Sequence, residues 1–438
     1  MATQQPMTHG HAHRHYHADM LSVEEARERI LANFSVLEPE ERPLLECLGQ
    51  VLAEDARCDI NIPPADNSAM DGYAVQFDSI KGAEDGTPVT LKVVGYVAAG
   101  QVPEGAVTPG TAFRIMTGAA TPIGADTVIP FEDTDEMQRK ADGLTLDEIA
   151  IQYEHPKGTN VRPTGDDFSK GDLAVERGTV LRPAELGVLA AIGKPTVKVY
   201  RRPVIAVLAT GDELQEPGEP PQPGKIYNTN NYSIAASVTR YGGIVKLLGI
   251  ARDNLEDLEA KVEEALSCDL LLTSAGVSKG DYDIVKDVLG RKGKVELWSV
   301  RMRPAKPLAF GLLDGPDGRK VPHLGLPGNP VSALVAFEQV ARPAILKMLG
   351  KTRLDKPSIT AILEDDITNS DSRRVYARVI VTKREGTYYA KLAGGQGSHV
   401  LSAVARGNGL AVCPEEQAAV RAGEEVKVEM LDWPEEYE

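Results

Sequence analysis

Cysteine is scarce: Cys47, Cys58, Cys268 and Cys413 are scattered through 438 residues and make no Cys-x-x-Cys pair. That spacing argues against a zinc–cysteine site and fits buried, unpaired thiols in a reducing cytosol. No apolar stretch approaches the roughly 18 residues that span a bilayer, and the N-terminal residues lack the apolar core of a signal peptide. Positive charge is also short, with 48 Lys and Arg against 64 Asp and Glu and a formal net charge of −16. A nucleic-acid binder would show a basic face, so that class is set aside. A small anionic ligand is not excluded, because a few local cations can dominate one pocket. Neither the Walker pattern nor G-x-G-x-x-G is present, and no internal repeat marks a solenoid.

What remains is a soluble globular composition, 42% apolar and 26% charged, on a chain long enough for about three domains. At the N-terminus His9, His11, His13, His15 and His17 alternate with other residues. This stretch reads as a disordered tail, with metal collection as the alternative. The ordered chain is expected to begin at "MLSVEEARERILANF". There Ser22 and Glu25 match a capping box, and Val23, Ala26, Ile30 and Phe34 share one helical face. A second helix is expected in "PLLECLGQVLAED".

From 57 to 164, short β-branched runs alternate with Gly/Pro turns, predicting a β-rich domain. Residues 165–201 hold a helix at "RPAELGVLAAIG" and pair with 19–56 as one discontinuous linking domain. Over 202–350 the apolar runs "PVIAVLA", "IVKLLGI", "LLLT" and "PHLGL" alternate with helical patterns, which predicts a doubly wound parallel sheet. Its last helix starts at Asn329 as N-cap with Pro330 at the first position, and Pro343 is expected to kink it. Residues 351–438 return to β texture, with a hairpin at Glu385-Gly386, and predict a small barrel or sandwich. The fold class is therefore multidomain α/β plus β.

Ligands of open parallel sheets bind beyond the carboxyl ends of the strands. Three stretches fall there: "VIAVLATGDEL", "LLLTSAGVSKGDYDIV" and "LGLPGNPVS". Each alone could be a turn and a cap, but three converging loops predict a ligand site. Loops of this kind suit a phosphate, yet Asp212, Glu213, Asp281 and Asp283 would repel one. A hard divalent cation such as Mg²⁺ between carboxylates and a phosphate ester or pyrophosphate resolves the conflict. Arg301, Arg303 and Lys306, within six residues of an acidic chain, favour an oxyanion site. The β-rich region adds "PPADNSAMDGYAV", Thr117-Gly118, and Arg162, Asp166 and Asp167.

Read in order, "DNSAMDGYAV", "FRIMTGAATPIGADTVI", "VLATGDEL", "GVSKGDYD", "RPAKPLAFG", "GLPGNPVSA" and "GQGSHVLSAVARGNGL" resemble the molybdopterin molybdenumtransferase family, which includes MoeA and the E domains of gephyrin and the plant Cnx proteins. The resemblance covers about residues 20 to 435. It implies a cytoplasmic homodimer of four-domain subunits. The third domain would be MogA-like, as in the molybdopterin adenylyltransferases, and the C-terminal domain a small β-barrel. Each active site would be shared with the partner's second domain. The activity implied is hydrolysis of adenylylated molybdopterin with a divalent metal such as Mg²⁺, and insertion of molybdenum from molybdate into the dithiolene, with AMP released. Molybdopterin adenylyltransferase would act upstream, and molybdoenzymes or cofactor carriers downstream.

By the same resemblance, Asp71, Thr117, Asp167, Glu213, Asp253 and Asp283 are the catalytic candidates, with Asp212, Glu213 and Asp283 as metal ligands. Thr210, Gly211, Ser274, Gly276, Ser278, Gly280, Pro327, Gly328 and Asn329 would bind the pterin substrate. Arg303, Lys306, Arg378 and Ser398 would hold molybdate. Four positions depart from the family pattern: Ala275 stands where Gly is usual, Asn228 and Asn231 where Asp and Arg are common, and Arg303 where Lys is. Rival readings are an adenylyltransferase, for which the third domain alone suffices, a dimeric scaffold without catalysis, and a tungstate-inserting paralogue.

Overall fold

The computed structural model describes residues 20–252, 254–275 and 282–433. The histidine-rich segment, Asp253, Gly276, Ser278, Gly280 and Asp281 lie outside the described residues. By its internal contacts the chain divides into two compact units. The smaller holds Glu41–Leu48 and Leu52–Lys198. The larger holds the described residues up to Glu40, Gly49–Val51, and those from Val199 onward.

The smaller unit is built on a five-stranded sheet of β1 (Gly72–Val75), β2 (Val89–Val97), β3 (Thr111–Ile115), β4 (Thr127–Pro130) and β5 (Glu148–Ile151), in the order β4-β1-β3-β2-β5. Successive side chains of a strand point to opposite faces. Tyr73 and Val75 accordingly enter one buried cluster with Ile129 and Ile149, and Ala74 enters another with Phe113 and Val128. The expected helix Pro183–Ala191 is present, with its proline in the first turn. The one expected in "PLLECLGQVLAED" is reduced to a single 3₁₀ turn, Leu44–Cys47. Pro43 precedes that turn, Leu48 is extended at ψ 125°, and Gly49 takes φ +76°, so no second turn can propagate.

In the larger unit α1 (Val23–Leu31) carries the expected capping box. Ser22 Oγ accepts the Glu25 N–H at 3.0 Å, and Glu25 Oε2 accepts the Ser22 N–H at 2.8 Å. Its face of Val23, Ala26 and Ile30, with Phe34, is buried in one core cluster with the helical segment 337–348 and one face of the main sheet. That sheet comprises β6 (Val204–Thr210), β7 (Ile244–Ala251), β8 (Leu270–Ser274), β9 (Gly293–Ser299), β10 (Pro307–Asp314) and β11 (Lys320–Leu326). Their order is β7-β6-β8-β11-β10-β9, the first four parallel and β10 antiparallel to both β11 and β9. Alternate residues explain why the strands are apolar throughout. Ile205, Val207, Leu270 and Leu272 pack on one face with α2 (Asn230–Arg240) and α5 (Pro330–Ala336). Ala206, Leu208 and Leu271 pack on the other with α3 (Leu255–Ala265) and α4 (Tyr282–Lys292).

Ahead of Pro343 the last helix changes pitch. Residues Phe337–Ala341 form a π turn between α5 and the helix Arg342–Met348. A proline without N–H leaves the carbonyl four residues before it unpaired, and a wider turn accommodates that gap.

Residues 358–430 close into a five-stranded barrel of β12 (Ser358–Leu363), β13 (Arg374–Arg384), β14 (Thr387–Leu392), β15 (Gly409–Cys413) and β16 (Glu425–Met430). Closure runs β13-β14-β12-β16-β15 and back to β13. Val375, Ala377, Val379 and Val381 fill its interior. Tyr376 is turned outward into the core beneath the α/β sheet. Among the described residues all four cysteines are buried and none is in a disulfide, and no helix is long and apolar enough to cross a membrane.

Candidate functional site

The carboxyl ends of β6, β8 and β11 meet at one edge. Ala209 is in register with Ser274, Ser274 with Leu326, and Thr210 with Ala251 of β7. Thr210, Gly211, Asp212, Glu213 and Ser274 therefore share this edge with the loop Pro327–Asn329. Chain order and spatial order part here, since β7 and β8 lie on opposite sides of β6, which makes it the switch point where a ligand crevice is expected.

Gly211 has φ +140°, and its N–H donates to the Ala251 carbonyl at 3.4 Å. A Cβ there would collide with the Glu213 carboxylate, which folds back over the turn. Lys225 Nζ donates to the Asp212 carbonyl. Asp212 and Glu213 offer exposed carboxylates, and Thr210 a hydroxyl, the oxygen-only donor set that suits a hard divalent cation. Among the described residues no group of three or more His, Cys, Asp or Glu is placed to hold a metal. Asp283, the third acid of the expected set, lies in the first turn of α4 with its side chain outside the described residues.

The loop Pro327–Asn329 is held by a residue the sequence did not single out. Asn230 Nδ2 donates to the Gly328 carbonyl at 2.7 Å, and its Oδ1 is buried without a partner. Asn228 and Asn231, the departures from the family pattern, serve the local backbone. Asn228 Oδ1 accepts the Asn231 N–H at 3.2 Å, and Asn231 Nδ2 donates to the Gly249 carbonyl at 2.8 Å. Ala275 has φ +74°, a region L-residues other than Asn and Asp seldom occupy. Its N–H donates to the Leu326 carbonyl at 3.1 Å. Its methyl lies where a Cβ on Gly328 would come within 3.2 Å, so a side chain at 328 would press the two loops a few tenths of an ångström apart.

A second feature of the larger unit is a cavity of about 580 Å³ between the barrel and the α/β sheet. Arg303, Lys306, Arg378 and Ser398 all line it. They come from three separate stretches. The short strand Met302–Arg303 pairs in parallel with Arg374–Val375 and so brings Arg303 beside β13. Ala305, at φ +79°, turns the chain so that Lys306 faces the same space. Arg378 stands on β13 between Ala377 and Val379, whose side chains fill the barrel, and is therefore directed outward.

Although outside the barrel, Arg378 is only 1% exposed. Its Nη1 donates to the Tyr376 carbonyl at 3.2 Å and its Nη2 to the Gly397 carbonyl at 3.4 Å, while Nε has no partner. Burial first, and then the charge of Arg303, push its pKa down to about 10, leaving it protonated at neutral pH. Among the described residues Arg303, Lys306 and Arg378 form no ion pair within 4 Å. The cavity's Asp366, by contrast, is paired with Arg421 at 2.7 Å. Uncompensated buried cations are costly, and an anion is the natural partner. Sequence reasoning missed Ser332, Arg373 and Gln396 on this wall. Ser332 ends the "GNPVS" signal and Gln396 sits in "GQGSH", so both lay within stretches already singled out.

In the smaller unit Asp71 and Thr117 are brought together. Asp71 Oδ1 accepts the Thr117 N–H and the Thr117 Oγ1–H, each at 2.7 Å. Those two donors, the N–H first, hold the Asp71 carboxyl below its ordinary range. Asp66 makes the same double contact with Thr164, at 2.7 Å for both bonds, which pins the segment leading to Asp167. Asp167 is exposed, its N–H bonded to the Ile62 carbonyl at 2.9 Å.

Three family models match the chain in order. They are the MoeA N-terminal region (domain I and II) over residues 21–193, the "probable molybdopterin binding domain" over 206–347, and the MoeA C-terminal region (domain IV) over 360–431. Molybdopterin molybdenumtransferase 2 of Mycobacterium tuberculosis is 36% identical over 416 residues, covering 93% of this chain and 99% of its own. The molybdopterin molybdenumtransferase of Haemophilus influenzae is 37% identical, covering 94% and 98%. Among solved structures, the molybdopterin biosynthesis MoeA protein of Pyrococcus horikosii superposes with a TM-score of 0.77 at 32% identity, covering 94% of this chain and all of that one. With relatives of this identity matched along nearly their whole length, the chain belongs to the molybdopterin molybdenumtransferase family, and its α/β domain is the MogA-like one of that fold.

Proposed function

We propose that this transferase of molybdenum cofactor biosynthesis takes adenylylated molybdopterin, releases AMP from it, and inserts molybdenum from molybdate into the dithiolene. The observation that carries the reading is the cavity. Residues 303, 306, 378 and 398 converge on one space where a buried guanidinium has no carboxylate partner. A tetrahedral dianion supplies the missing charge, and the Arg fork and the Ser hydroxyl supply directed donors.

The pterin substrate would lie along the carboxyl edge of the sheet, against Thr210, Gly211, Ser274 and the loop Pro327–Asn329, with Gly276, Ser278 and Gly280 admitting its phosphates. Asp212, Glu213 and Asp283 would hold a divalent cation such as Mg²⁺, which supplies charge neutralisation beside the phosphoanhydride when bound. Glu213, Asp253 and Asp283 orient the attacking water. Its oxygen bonds to the adenylyl phosphorus as the anhydride P–O bond breaks, leaving AMP and the pterin phosphate. Asp71, Thr117 and Asp167 act from the smaller unit of a partner copy, which makes the working form a homodimer. Its place is the cytoplasm, after the adenylyltransferase and ahead of molybdoenzymes or cofactor carriers. The four-domain division, with domain III over 202–350, belongs to the same reading.

The test is to incubate the purified protein with adenylylated molybdopterin, Mg²⁺ and either molybdate or tungstate, and to follow AMP and metal-loaded cofactor. Turnover with both products formed is expected, and Asp283→Ala should abolish AMP release. Hydrolysis at the wild-type rate in that variant removes Asp283 from the catalytic set, and no turnover by the wild type leaves the scaffold reading.

A further inference from the structure

Gln396 lies on the cavity wall, yet its amide is committed to the neighbouring strand. Its Oε1 accepts the Arg378 N–H at 2.9 Å, and its Nε2 donates to the Arg378 carbonyl at 3.1 Å and to the Gly394 carbonyl at 2.9 Å. On this side of β13 the strand β14 ends at Leu392, and the last main-chain bond is from the Ala393 N–H to the Arg378 carbonyl, at 2.9 Å. The Gln396 side chain continues the ladder where the strand stops. A primary amide has two N–H donors, and both are used here. The oxygen that remains is an acceptor and would repel an anion. Gln396 is therefore poorly equipped to bind an oxyanion itself.

We propose that Gln396 is a positioning residue for the oxyanion site: it fixes the backbone of Arg378 and, through its own loop, the place of Ser398. The inference rests on the cavity being the oxyanion site, as proposed above. The loop 394–398 is tied at two points. Gln396 holds it to β13, and the Ser398 carbonyl accepts the Val331 N–H in the first turn of α5 at 3.1 Å. Between these ties the Gly397 carbonyl accepts from the Arg378 guanidinium. Loss of the Gln396 amide leaves Arg378 and Ser398 each held at one point fewer, so donors that must meet one small anion no longer share a fixed geometry.

The test is calorimetric titration of orthomolybdate into the full-length wild type, Gln396→Met, Arg378→Met and the double variant, with thermal midpoints recorded for each. Methionine keeps the volume and removes every hydrogen bond. Gln396→Met is expected to weaken binding about tenfold. In the Arg378→Met background the same change should cost no more than about threefold, the part that acts through Ser398 alone. In turnover, the KM for molybdate should rise while kcat is held. Gln396→Glu, which retains the acceptor for the Arg378 N–H but loses both donors, serves if the methionine variant fails to fold, and it should also bind more weakly. Wild-type affinity in either Gln396 variant overturns the proposal, as does a tenfold loss that persists without Arg378. If Arg378→Met itself binds molybdate as the wild type does, the cavity reading fails and the positioning role falls with it.

Discussion

Arg378 carries a charge into a place 1% exposed where no carboxylate meets it, and that arrangement costs folding free energy. Groups kept at such a cost mark a ligand more often than a structural need. Replacing Arg378 by methionine should therefore separate stability from function. In oxyanion-free buffer the thermal midpoint is expected to equal or exceed that of the wild type. Molybdate affinity should fall at least about tenfold, in line with the loss of charge-assisted bonds. Molybdate should raise the wild-type midpoint and leave the variant's unchanged, a difference that differential scanning fluorimetry reads directly. A midpoint well below wild type without ligand would make Arg378 a structural residue. At this scale the residues alone marked Arg303 and Lys306, because basic residues crowd together in "RMRPAK", whereas Arg378 came only from the family resemblance. The sequence could not disclose Ala275 at φ +74° or Ala305 at φ +79°. Alanine is a poor signal for a left-handed turn, and at Ala275 the backbone is held by its N–H bond to the Leu326 carbonyl at 3.1 Å.

Helix α5 shows what a local pattern predicts and what it leaves open. Asn329 occupies the cap position with Pro330 following, as the pattern requires, yet its side chain makes no capping bond. The orphan Val331 N–H is satisfied from the barrel by the Ser398 carbonyl at 3.1 Å. Asn329→Ala should then cost well under the roughly 1 kcal/mol typical of a lost cap in denaturant unfolding. If the side chain serves the substrate, the same variant should raise the KM for the pterin severalfold. A full capping penalty with unchanged KM would reverse that assignment. The sheet strands were legible because burial on both faces leaves four or more consecutive apolar residues. "PLLECLGQVL" was misread because its apolar spacing suits a helix while Pro43 and Gly49 leave room for one turn. Barrel closure and the cavity depend on pairings between distant segments, such as Met302–Arg303 with Arg374–Val375, and no local pattern encodes those.

A formal net charge of −16 makes the whole chain an unlikely host for an oxyanion, so the cations of one cavity must act over a short range in an acidic molecule. Acid pH tests the larger unit through a different group. His323 on β11 is 1% exposed, with Nε2 at 2.9 Å from Thr273 Oγ1 on β8 and Nδ1 without a partner. Burial pulls its pKa down to about 3, whereas an unfolded histidine titrates near 6.5. Between these values the unfolded chain binds a proton that the folded chain does not, so acidification favours unfolding. The contribution is fully present above about pH 6.5 and drains as pH falls toward 3, by at most about 1.4 kcal/mol per pH unit. Depressed carboxylates such as Asp71 act in the same direction, but only below their ordinary values near 4. The interval from pH 6.5 to 4.5 therefore isolates the histidine from them. Both tryptophans, Trp298 and Trp433, belong to the larger unit, so their fluorescence reports its unfolding. Urea midpoints read this way should fall across that interval in the wild type, and His323→Gln, which keeps a polar partner for Thr273, should flatten the slope. Equal slopes in the two proteins would assign the acid sensitivity of this unit to groups other than the histidine beneath its carboxyl edge.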